Sequence, residues 1–204
     1  MVLDNQHSSD VEVAINISDT SEVTVSASTL TFGNSNFDIA QTITVTCIED
    51  FYDNDNVGYT KTIDPSSSIS SYNSMASSPL TDYNIDNDTT AISVDAKSGN
   101  TSEFGSTATI NVTPATNPTY NVSIVVTDND STEVTISPTT LTITLSWRNK
   151  ANKHTRLTGQ NDSDNGNITY RVSFANATSS DSKHNGLASS PANIEVVNVD
   201  DMSD

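Results

Sequence analysis

Two stretches of this chain decide its fold: residues 21–32 read SEVTVSASTLTF, and residues 132–143 read TEVTISPTTLTI. The second stretch begins 111 residues after the first (132 − 21 = 111). The same spacing relates Tyr59 to Tyr170, with no gap in between. Self-similarity at a fixed period is the mark of one structural unit used twice. The sequence therefore predicts tandem modules of roughly 110 residues, a normal domain size.

The period divides the 204 residues into a module over residues 1–89 and a module over residues 90–204. At a spacing of 111, Met1 lies opposite Val112, so the first module lacks the counterpart of residues 91–111. In the second module those residues have the pattern of opening strands, and a sheet without its first strand exposes an unpaired edge. One interpretation is a piece excised from a longer array. The other is an edge left open for a strand of another subunit.

Short segments that alternate apolar and polar residues recur along the chain, among them VEVAI, TATINV and YRVSF. Clusters of Asn, Asp, Gly, Ser and Pro separate them, and no segment has the periodicity of a helix. This pattern predicts an all-β chain of antiparallel β-sandwiches. The single cysteine, Cys47, shares a strand face with Ile43 and Val45, which predicts a small buried side chain.

The charge of the chain narrows the choice of partners. Twenty-six acidic residues against 8 basic ones give a net charge of −18, which repels phosphate backbones and anionic membrane surfaces. We therefore expect no nucleic-acid partner, and no apolar run is long enough for membrane insertion. Only 33% of the residues are hydrophobic, so the core would be thin. Either counter-ions form part of the structure, or the charge keeps an extracellular protein soluble.

Acidic residues recur where predicted strands end, which suggests a metal site. Calcium takes six to eight oxygen ligands in loose geometry, and carboxylates drawn from several loops meet that need. Ionised carboxylates held side by side repel one another unless a cation lies among them. Asp and Asn also cap turns, so a single DND motif does not distinguish the two roles. The candidate calcium ligands are Asp19, Glu49, Asp50, Asp53, Asp55, Asp86 and Asp88 in the first module and Glu103, Asp128, Asp130, Asp162, Asp164, Asp200 and Asp201 in the second.

One segment breaks the repeat. At a spacing of 111, residues 35–45 (SNFDIAQTITV) lie over residues 146–156 (SWRNKANKHTR), where the strand alternation is lost. One interpretation is a basic patch for an acidic ligand such as a polysaccharide. The other, which we favour, is a local anomaly such as a reading-frame error, because a central strand gains nothing from charge facing inward. The residues concerned are Trp147, Arg148, Lys150, Lys153 and Arg156.

The order of motifs resembles that of a Calx-beta-type repeat: SGNTSEFGSTATINV, then DND, then SEVTVSxSTLTF, then TITVT with acids after it, and finally VNVDD. Such repeats occur in long surface and adhesin-like proteins, and a divergent relative forms the calcium sensor of sodium/calcium exchangers. The resemblance implies a seven-stranded immunoglobulin-like sandwich with calcium in the loops at one end. It also implies an extracellular or cell-surface location.

Three departures from the family pattern bear on the ligand set. Gln160 and Asn161 stand where the spacing of 111 places the acids Glu49 and Asp50. The first module has no counterpart of Glu103. After Asp201, the chain continues with Met202 instead of a third acid. The resemblance therefore implies fewer or weaker ions than the full pattern would hold.

Three hypotheses for function follow, and none is an enzyme, because the chain has no nucleophile elbow, phosphate loop or histidine metal spacing. The first is a non-enzymatic calcium-binding structural repeat of an extracellular stalk, adhesin or surface filament, with neighbouring repeats of the same or a like chain as partners. The second is an adhesion module that binds a glycan or cell-surface ligand. The third is a self-assembling filament subunit whose first module is completed by a strand from a neighbour.

Overall fold

The computed structural model describes residues 1–73, 75–145 and 153–200. Strands account for 46% of the chain and helix for 2%, which confirms the prediction of an all-β fold. Within these ranges, no helix has the length and apolarity needed to cross a membrane.

The chain divides into two compact units. The first unit consists of Met1–Asp50 and Asn54–Asn87, and the second of Phe51–Asp53 and Asp88–Asp204. Each unit has its own strands and its own cluster of buried apolar side chains.

In its described residues the first unit has six strands and one helical turn; the sequence pattern does not predict the helical turn. The elements are β1 (Val11–Ile17), β2 (Val23–Val25), β3 (Thr29–Phe32), β4 (Val45–Cys47), β5 (Val57–Ser67), α1 (Ser70–Asn73) and β6 (Ser78–Asn84). Strand β1 pairs with β3 and β5, β6 pairs with β5, and β2 pairs with β4 in a separate two-stranded sheet. All of these pairs are antiparallel.

The core of the first unit is small, as the composition predicts. Among the described residues, its buried cluster consists of Val11 and Val13 of β1 with Leu30 and Phe32 of β3, because alternate residues of each strand face the same side. Partly buried apolar side chains, Ile43 among them, pack against this cluster.

The second unit is a two-sheet sandwich. Its strands are β7 (Ile92–Val94), β8 (Thr101–Ser102), β9 (Thr107–Pro114), β10 (Val122–Asp128), β11 (Val134–Ser137), β12 (Thr140–Ile143), β13 (Lys153–Gly159), β14 (Ile168–Phe174), β15 (Thr178–Ser179), β16 (Ser189–Ser190) and β17 (Asn193–Val199). One sheet has the order β12-β10-β14-β17-β8, with β15 also paired to β10, and the other has the order β11-β13-β9-β7-β16. The predicted antiparallel pairing holds except that β16 pairs with β7, and β17 with β8, in parallel.

Both sheets of the second unit contribute to one continuous core. Ile110 of β9 and Leu157 of β13 come from one sheet, and Ile124 of β10 and Tyr170 of β14 come from the other; all four are fully buried. The Tyr170 hydroxyl lies 3.1 Å from Oγ1 of Thr101, so the polar end of this large side chain has a buried partner.

The register of β13 corrects the sequence alignment of the two modules. Val23 pairs with Cys47 in the first unit, and the equivalent Val134 pairs with Gly159 in the second. The spacing at this strand is therefore 112 (159 − 47 = 112), one residue more than in the flanking strands. The counterpart of Val45 is consequently Leu157.

When the alignment includes that extra residue, β13 keeps the alternation of buried and exposed side chains that is typical of a strand. Its buried residues are Thr155, Leu157 and Gly159, while His154 and Arg156 are exposed. The premise of the sequence-anomaly interpretation, charge facing inward, therefore does not hold for His154 and Arg156, whose side chains are exposed. Lys153 is half-buried at the start of the strand; Trp147, Arg148 and Lys150 lie outside the described residues.

Cys47 is exposed, which contradicts the prediction that it is a core side chain. Its counterpart Gly159 is buried, and a Cβ added there would clash with the carbonyl oxygen of Ser102 on β8 and with Oδ1 of Asn198. Strand β8 thus lies too close to β13 for a side chain at this position. In the described part of the first unit no strand corresponds to β8, and a cysteine fits.

Candidate metal centre

The site lies where the loops of the second unit meet, and its central residue is Glu133. This residue directly precedes β11, and its side chain is fully buried. Thr132, one residue earlier, donates hydrogen bonds from its backbone N–H and its hydroxyl to Oδ1 of Asp130 (3.3 and 2.6 Å). This tight turn leads the chain from the end of β10 into the interior.

One oxygen of the Glu133 carboxylate is held by the last strand of the unit. The side-chain amide of Asn198 donates to Oε2 of Glu133 (3.0 Å) and to the carbonyl oxygen of Gln160 (2.9 Å). The backbone N–H of Gln160 in turn donates to the carbonyl oxygen of Glu133 (3.0 Å). These bonds connect three separate segments of the chain around the carboxylate.

The other oxygen of Glu133, Oε1, is buried and no hydrogen-bond donor reaches it. Leaving a buried polar atom without a partner is costly, and more so for a charged group. Burial raises the pKa of Glu133 above its usual value; the hydrogen bond from Asn198 opposes this, and the negative charge of Asp162 adds to the rise. A cation beside Oε1 would give this oxygen a partner and offset the charge of the neighbouring carboxylate.

Two further carboxylates complete a cluster with Glu133. Three carboxylate oxygens lie within 4.8 Å of one another, one each from Glu133, Asp162 and Asp164. The loop between β13 and β14 carries both aspartates, and the backbone N–H of Asp164 donates to Oδ1 of Asp162 (2.8 Å). Calcium binds oxygens at 2.3–2.6 Å, so oxygens on opposite sides of one ion lie roughly 5 Å apart. The cluster has the right size for such an ion.

Three other predicted ligands of the second module lie outside this cluster: Glu103, Asp128 and Asp130. Asp128 ends β10 and Asp130 follows it, held by Thr132 as described. Glu103 is buried, and its backbone N–H donates to the carbonyl oxygen of Val199 (3.1 Å). Among the described residues, only Glu133, Asp162 and Asp164 come together closely enough to share an ion by the spacing above.

Asp200 organises the loop instead of joining the cluster. Its carboxylate accepts a hydrogen bond from the backbone N–H of Gly166, and its own N–H donates to Oδ1 of Asn167 (3.0 Å). Gly166 has a φ of 95°, a conformation that glycine adopts without strain. Asp201 lies outside the described residues.

The hydrogen bonds that surround Glu133 recur around its counterpart Glu22 in the first unit. The amide of Asn84 donates to Oε2 of Glu22 (3.0 Å) and to the carbonyl oxygen of Ile48 (3.1 Å), as Asn198 does in the second unit. The N–H of Ser21 donates to Oδ1 of Asp19 (3.0 Å), and the hydroxyl of Ser21 hydrogen-bonds to the same oxygen. The Ser21 hydroxyl is the main reason why the pKa of Asp19 lies below its usual value.

In the first unit, Asp86 has the role that Asp200 has in the second unit. Its carboxylate accepts hydrogen bonds from the backbone N–H groups of Asn54 and Asp55, both 2.8 Å, and its N–H donates to Oδ1 of Asn56 (3.0 Å). Asp55 has a positive φ of 63°, the counterpart of Gly166. The duplication therefore extends to the hydrogen bonds that shape the loops.

The other predicted ligands of the first module have separate partners. The amide of Asn87 donates to Oε2 of Glu49 (3.5 Å), and that of Asn54 to Oδ2 of Asp50 (3.5 Å). Asp88 opens the long segment of the second unit. In the described residues, no three carboxylates of the first unit meet as Glu133, Asp162 and Asp164 do.

The counterpart of Asp164 is Asp53, which belongs to the second unit and is already neutralised there. Its Oδ1 lies 2.9 Å from Nζ of Lys183, and its Oδ2 accepts hydrogen bonds from the N–H and hydroxyl of Thr90 (both 2.9 Å). The hydrogen bond from Lys183, followed by those from Thr90, lowers the pKa of Asp53 to about 2. The ammonium group of Lys183 thus compensates the charge of Asp53.

Glu133 and its counterpart Glu22 are absent from the ligands that the sequence predicts. Strand alternation places both next to the inward-facing Val134 and Val23, so they read as solvent-facing positions. The signal that identifies them is their presence in both copies of the repeated stretch, SEVTV and TEVTI. The spacing of 112 at β13 also changes one of the predicted departures from the family pattern. At this spacing, Asp50 corresponds to the acid Asp162 instead of to Asn161.

Comparison with known proteins assigns no family. No family model matches the chain, and no curated protein sequence matches it. Among solved structures it is similar to CBD12 from CALX1.2, a Calx-beta domain, with 12% identity, a TM-score of 0.40 and coverage of 86% of this chain and 71% of that one.

Two further solved structures are similar at comparable levels. A protein of unknown function from Porphyromonas gingivalis W83 has 11% identity and a TM-score of 0.33, with 96% of this chain and 87% of that chain covered. Domains 4 and 5 of the S-layer protein SbsC have 14% identity and a TM-score of 0.35, with 92% and 96% covered.

Proposed function

We propose that this chain is a non-enzymatic structural module of an extracellular or cell-surface protein, and that a calcium ion stabilises the loop end of its second unit. The observation that carries the proposal is the buried Oε1 of Glu133, which has no hydrogen-bond donor and lies in a cluster with Asp162 and Asp164. Three carboxylates so close repel one another unless a cation lies among them.

The chemistry of the donors favours calcium over other common ions. All three are carboxylates, and zinc favours histidine and cysteine ligands. Magnesium demands near-ideal octahedral geometry and releases its water reluctantly, whereas calcium accepts irregular oxygen sets contributed by loops. The ion would also take ligands from water or backbone carbonyls to reach its usual coordination number.

Calcium bound here would join parts of the sandwich that are distant in sequence. Glu133 lies before β11, and Asp162 and Asp164 lie between β13 and β14. Asn198 of β17, which holds the Glu133 carboxylate, brings a third segment into the same network. An ion at this point would oppose separation of the loops, which is the property that a load-bearing surface repeat needs.

The experiment that tests the proposal is thermal unfolding in the presence of a chelator and in the presence of calcium. Extracellular calcium modules bind with dissociation constants of about 10⁻⁴ to 10⁻³ M. At a calcium concentration ten times the dissociation constant, one site adds about 1.4 kcal/mol to the free energy of unfolding. We expect a higher Tm in calcium than in chelator, and a much smaller rise in the same concentration of magnesium.

A melting curve that is identical in chelator and in calcium would contradict the proposal. An equal rise with calcium, magnesium and a matched increase in sodium chloride would also contradict it, because general screening of the charge of −18 would then explain the result.

A further inference from the structure

A line of hydrogen-bonded polar side chains runs through the second unit and shares no residue with the carboxylate cluster. Its centre is His184, in the loop between β15 and β16, whose side chain is 1% exposed. Nδ1 of its ring lies 2.9 Å from Oδ2 of Asp181, and its Nε2 lies 3.5 Å from Oγ1 of Thr116. Asp181 and Thr116 are buried as well. Both ring nitrogens therefore contact polar atoms where bulk water does not compete.

The line continues from Thr116 to a second carboxylate. Oγ1 of Thr116 lies 3.1 Å from Oγ1 of Thr90, which precedes β7. The hydroxyl of Thr90 donates in turn to Oδ2 of Asp53 (2.9 Å). Four contacts thus join five side chains in series, in the order Asp181, His184, Thr116, Thr90 and Asp53.

The carboxylates at the two ends of this line are ionised. The hydrogen bond from Lys183, followed by those from Thr90, lowers the pKa of Asp53 to about 2. Burial alone would raise the pKa of Asp181, but its hydrogen bonds, first the one from the backbone N–H of Thr119 (2.7 Å), bring that pKa below its usual value. At neutral pH both carboxylates accept hydrogen bonds and neither supplies a proton.

A count of the protons on the line determines the state of the histidine. Each of the four contacts needs one proton between its two atoms. The hydroxyls of Thr90 and Thr116 supply one each, and Nδ1 of His184 supplies the proton that points to Asp181. The fourth proton, between His184 and Thr116, then has to come from Nε2. A neutral ring would leave one contact with two lone pairs facing each other, which is costly for buried groups.

The charges around the ring also favour a cation. Asp181 is in direct contact with it, and Asp53 faces it through the two threonines. Lys183 precedes His184 in the chain, but its ammonium group lies 2.9 Å from Oδ1 of Asp53. A buried charge is tolerated when it is paired, and an imidazolium ring would be paired here with the carboxylate of Asp181.

The first unit closes the corresponding loop with neutral groups. At a spacing of 112, the counterparts of His184 and Asp181 are Tyr72 and Ile69. The hydroxyl of Tyr72 donates to the carbonyl oxygen of Asn5 (3.3 Å). Closure of the loop in this module therefore does not by itself require a titratable pair.

We propose that the ring of His184 carries a proton on both nitrogens in the folded chain at neutral pH, and that loss of one of them at higher pH weakens the second unit. The two protons complete the series of contacts that ends at Asp53, in the segment Phe51–Asp53 of this unit. Without one of them, the hold on that segment is weaker. An ordinary histidine gives up its second proton near pH 6.5, so the state of this residue decides how the unit responds around neutrality.

The test follows the ring nitrogens of the histidines by NMR spectroscopy of the full chain, in chelator at about pH 7.5. At that pH an ordinary histidine is about nine-tenths neutral. His154, which is exposed on β13, serves as the internal reference. We expect two attached protons on the ring of His184 and one on the ring of His154. An unprotonated nitrogen in the ring of His184 under these conditions would overturn the proposal.

Two variants separate the effect of the line from that of burial. Thr116→Val removes the acceptor of the Nε2 proton with little change in volume, so this proton should be lost at about pH 7.5. Thr155→Val is the matched control, because Thr155 is also buried but its hydroxyl donates to the carbonyl oxygen of Pro138 (2.9 Å). In this control His184 should keep both protons. If the Thr116 variant keeps both protons, or if both variants lose one, the proposal is wrong.

Urea unfolding in chelator checks the consequence for stability. Above about pH 6.5 the folded chain binds one proton more than the unfolded chain, so the free energy of unfolding falls as the pH rises. Between about pH 6 and 8, the ratio of folded to unfolded chains should fall about tenfold more in the parent chain than in His184→Gln. Glutamine keeps an N–H for Asp181 but does not titrate. An equal pH dependence of the two chains would contradict the proposal.

Discussion

Replacement of Leu157 by Ala is expected to lower the free energy of unfolding of the second unit by about 2–5 kcal/mol. Leu157 is fully buried in the core between the two sheets, where it pairs in register with Ile136 of β11 and Ala108 of β9. Removing three methylene-sized groups there loses apolar burial and leaves a cavity, since the surrounding strands can relax only in part. Urea denaturation followed by circular dichroism measures the change.

The matched control for Leu157 is its neighbour Arg156, which is exposed on the same strand. Arg156→Ala should change the free energy of unfolding by no more than about 0.5 kcal/mol, as for ordinary surface positions. If the Arg156 variant were the more damaging of the two, the register of β13 described above would be wrong. The spacing of 111, with Arg156 facing inward, would then be correct.

Replacement of Glu133 by Gln is expected to act in opposite directions with and without calcium. In chelator the variant should be more stable than the parent chain by about 1 kcal/mol, the size of one close repulsion between like charges. Gln keeps an oxygen to accept the hydrogen bond from Asn198, but it removes a buried negative charge beside Asp162 and Asp164. Thermal and urea unfolding in chelator give this first comparison.

In about 10 mM calcium the same variant should be the less stable chain. With a dissociation constant of about 10⁻⁴ to 10⁻³ M, the parent chain gains about 1.4 to 2.7 kcal/mol from the ion. Without the charge of Glu133, most of that gain is lost. Glu195→Gln, an exposed position on β17, is the matched control and should behave like the parent chain in both conditions. A Glu133 variant that keeps the full calcium gain would remove this residue from the site.

Much of the fold could be predicted from the sequence because its signals are local and repeated. Period-two alternation identifies strands, and a second copy of the stretch SEVTVSASTLTF aligns two modules without any structure. Tyr59 and Tyr170, paired by the spacing of 111, are indeed both buried. The loop positions of the acidic residues follow from where the strands end.

The register of β13 could not be predicted, because it depends on pairing with another strand. One additional residue between β12 and β13 shifts the side chains of β13 by one position, and in a strand such a shift moves each residue to the opposite face. Aligned at the spacing of 111, residues 153–156 (KHTR) would place basic side chains on the inward face. In the structure, Thr155 and Leu157 occupy the core. Only the pairs with β9 and β11 determine which reading is right.

The burial of Glu133 could not be predicted from the sequence, for a related reason. A glutamate beside an inward-facing valine reads as a solvent-facing residue, but the turn held by Asp130 and Thr132 directs the chain inward before β11 begins. Its burial becomes visible only when Asn198, 65 residues later in the chain, is placed against it. Repetition of a charged residue in both copies of a module is the sequence signal that would have singled it out.

The most direct test of the calcium site is a titration of the full chain with calcium, followed by the amide resonances in NMR spectra. We predict saturable shifts at Glu133, at residues 160–166 and at Asn198, with a dissociation constant of about 10⁻⁴ to 10⁻³ M, and their loss in a chain that carries both Asp162→Asn and Asp164→Asn. Resonances at these positions that stay unmoved up to about 10 mM calcium, or that move equally in the double variant, would contradict the account.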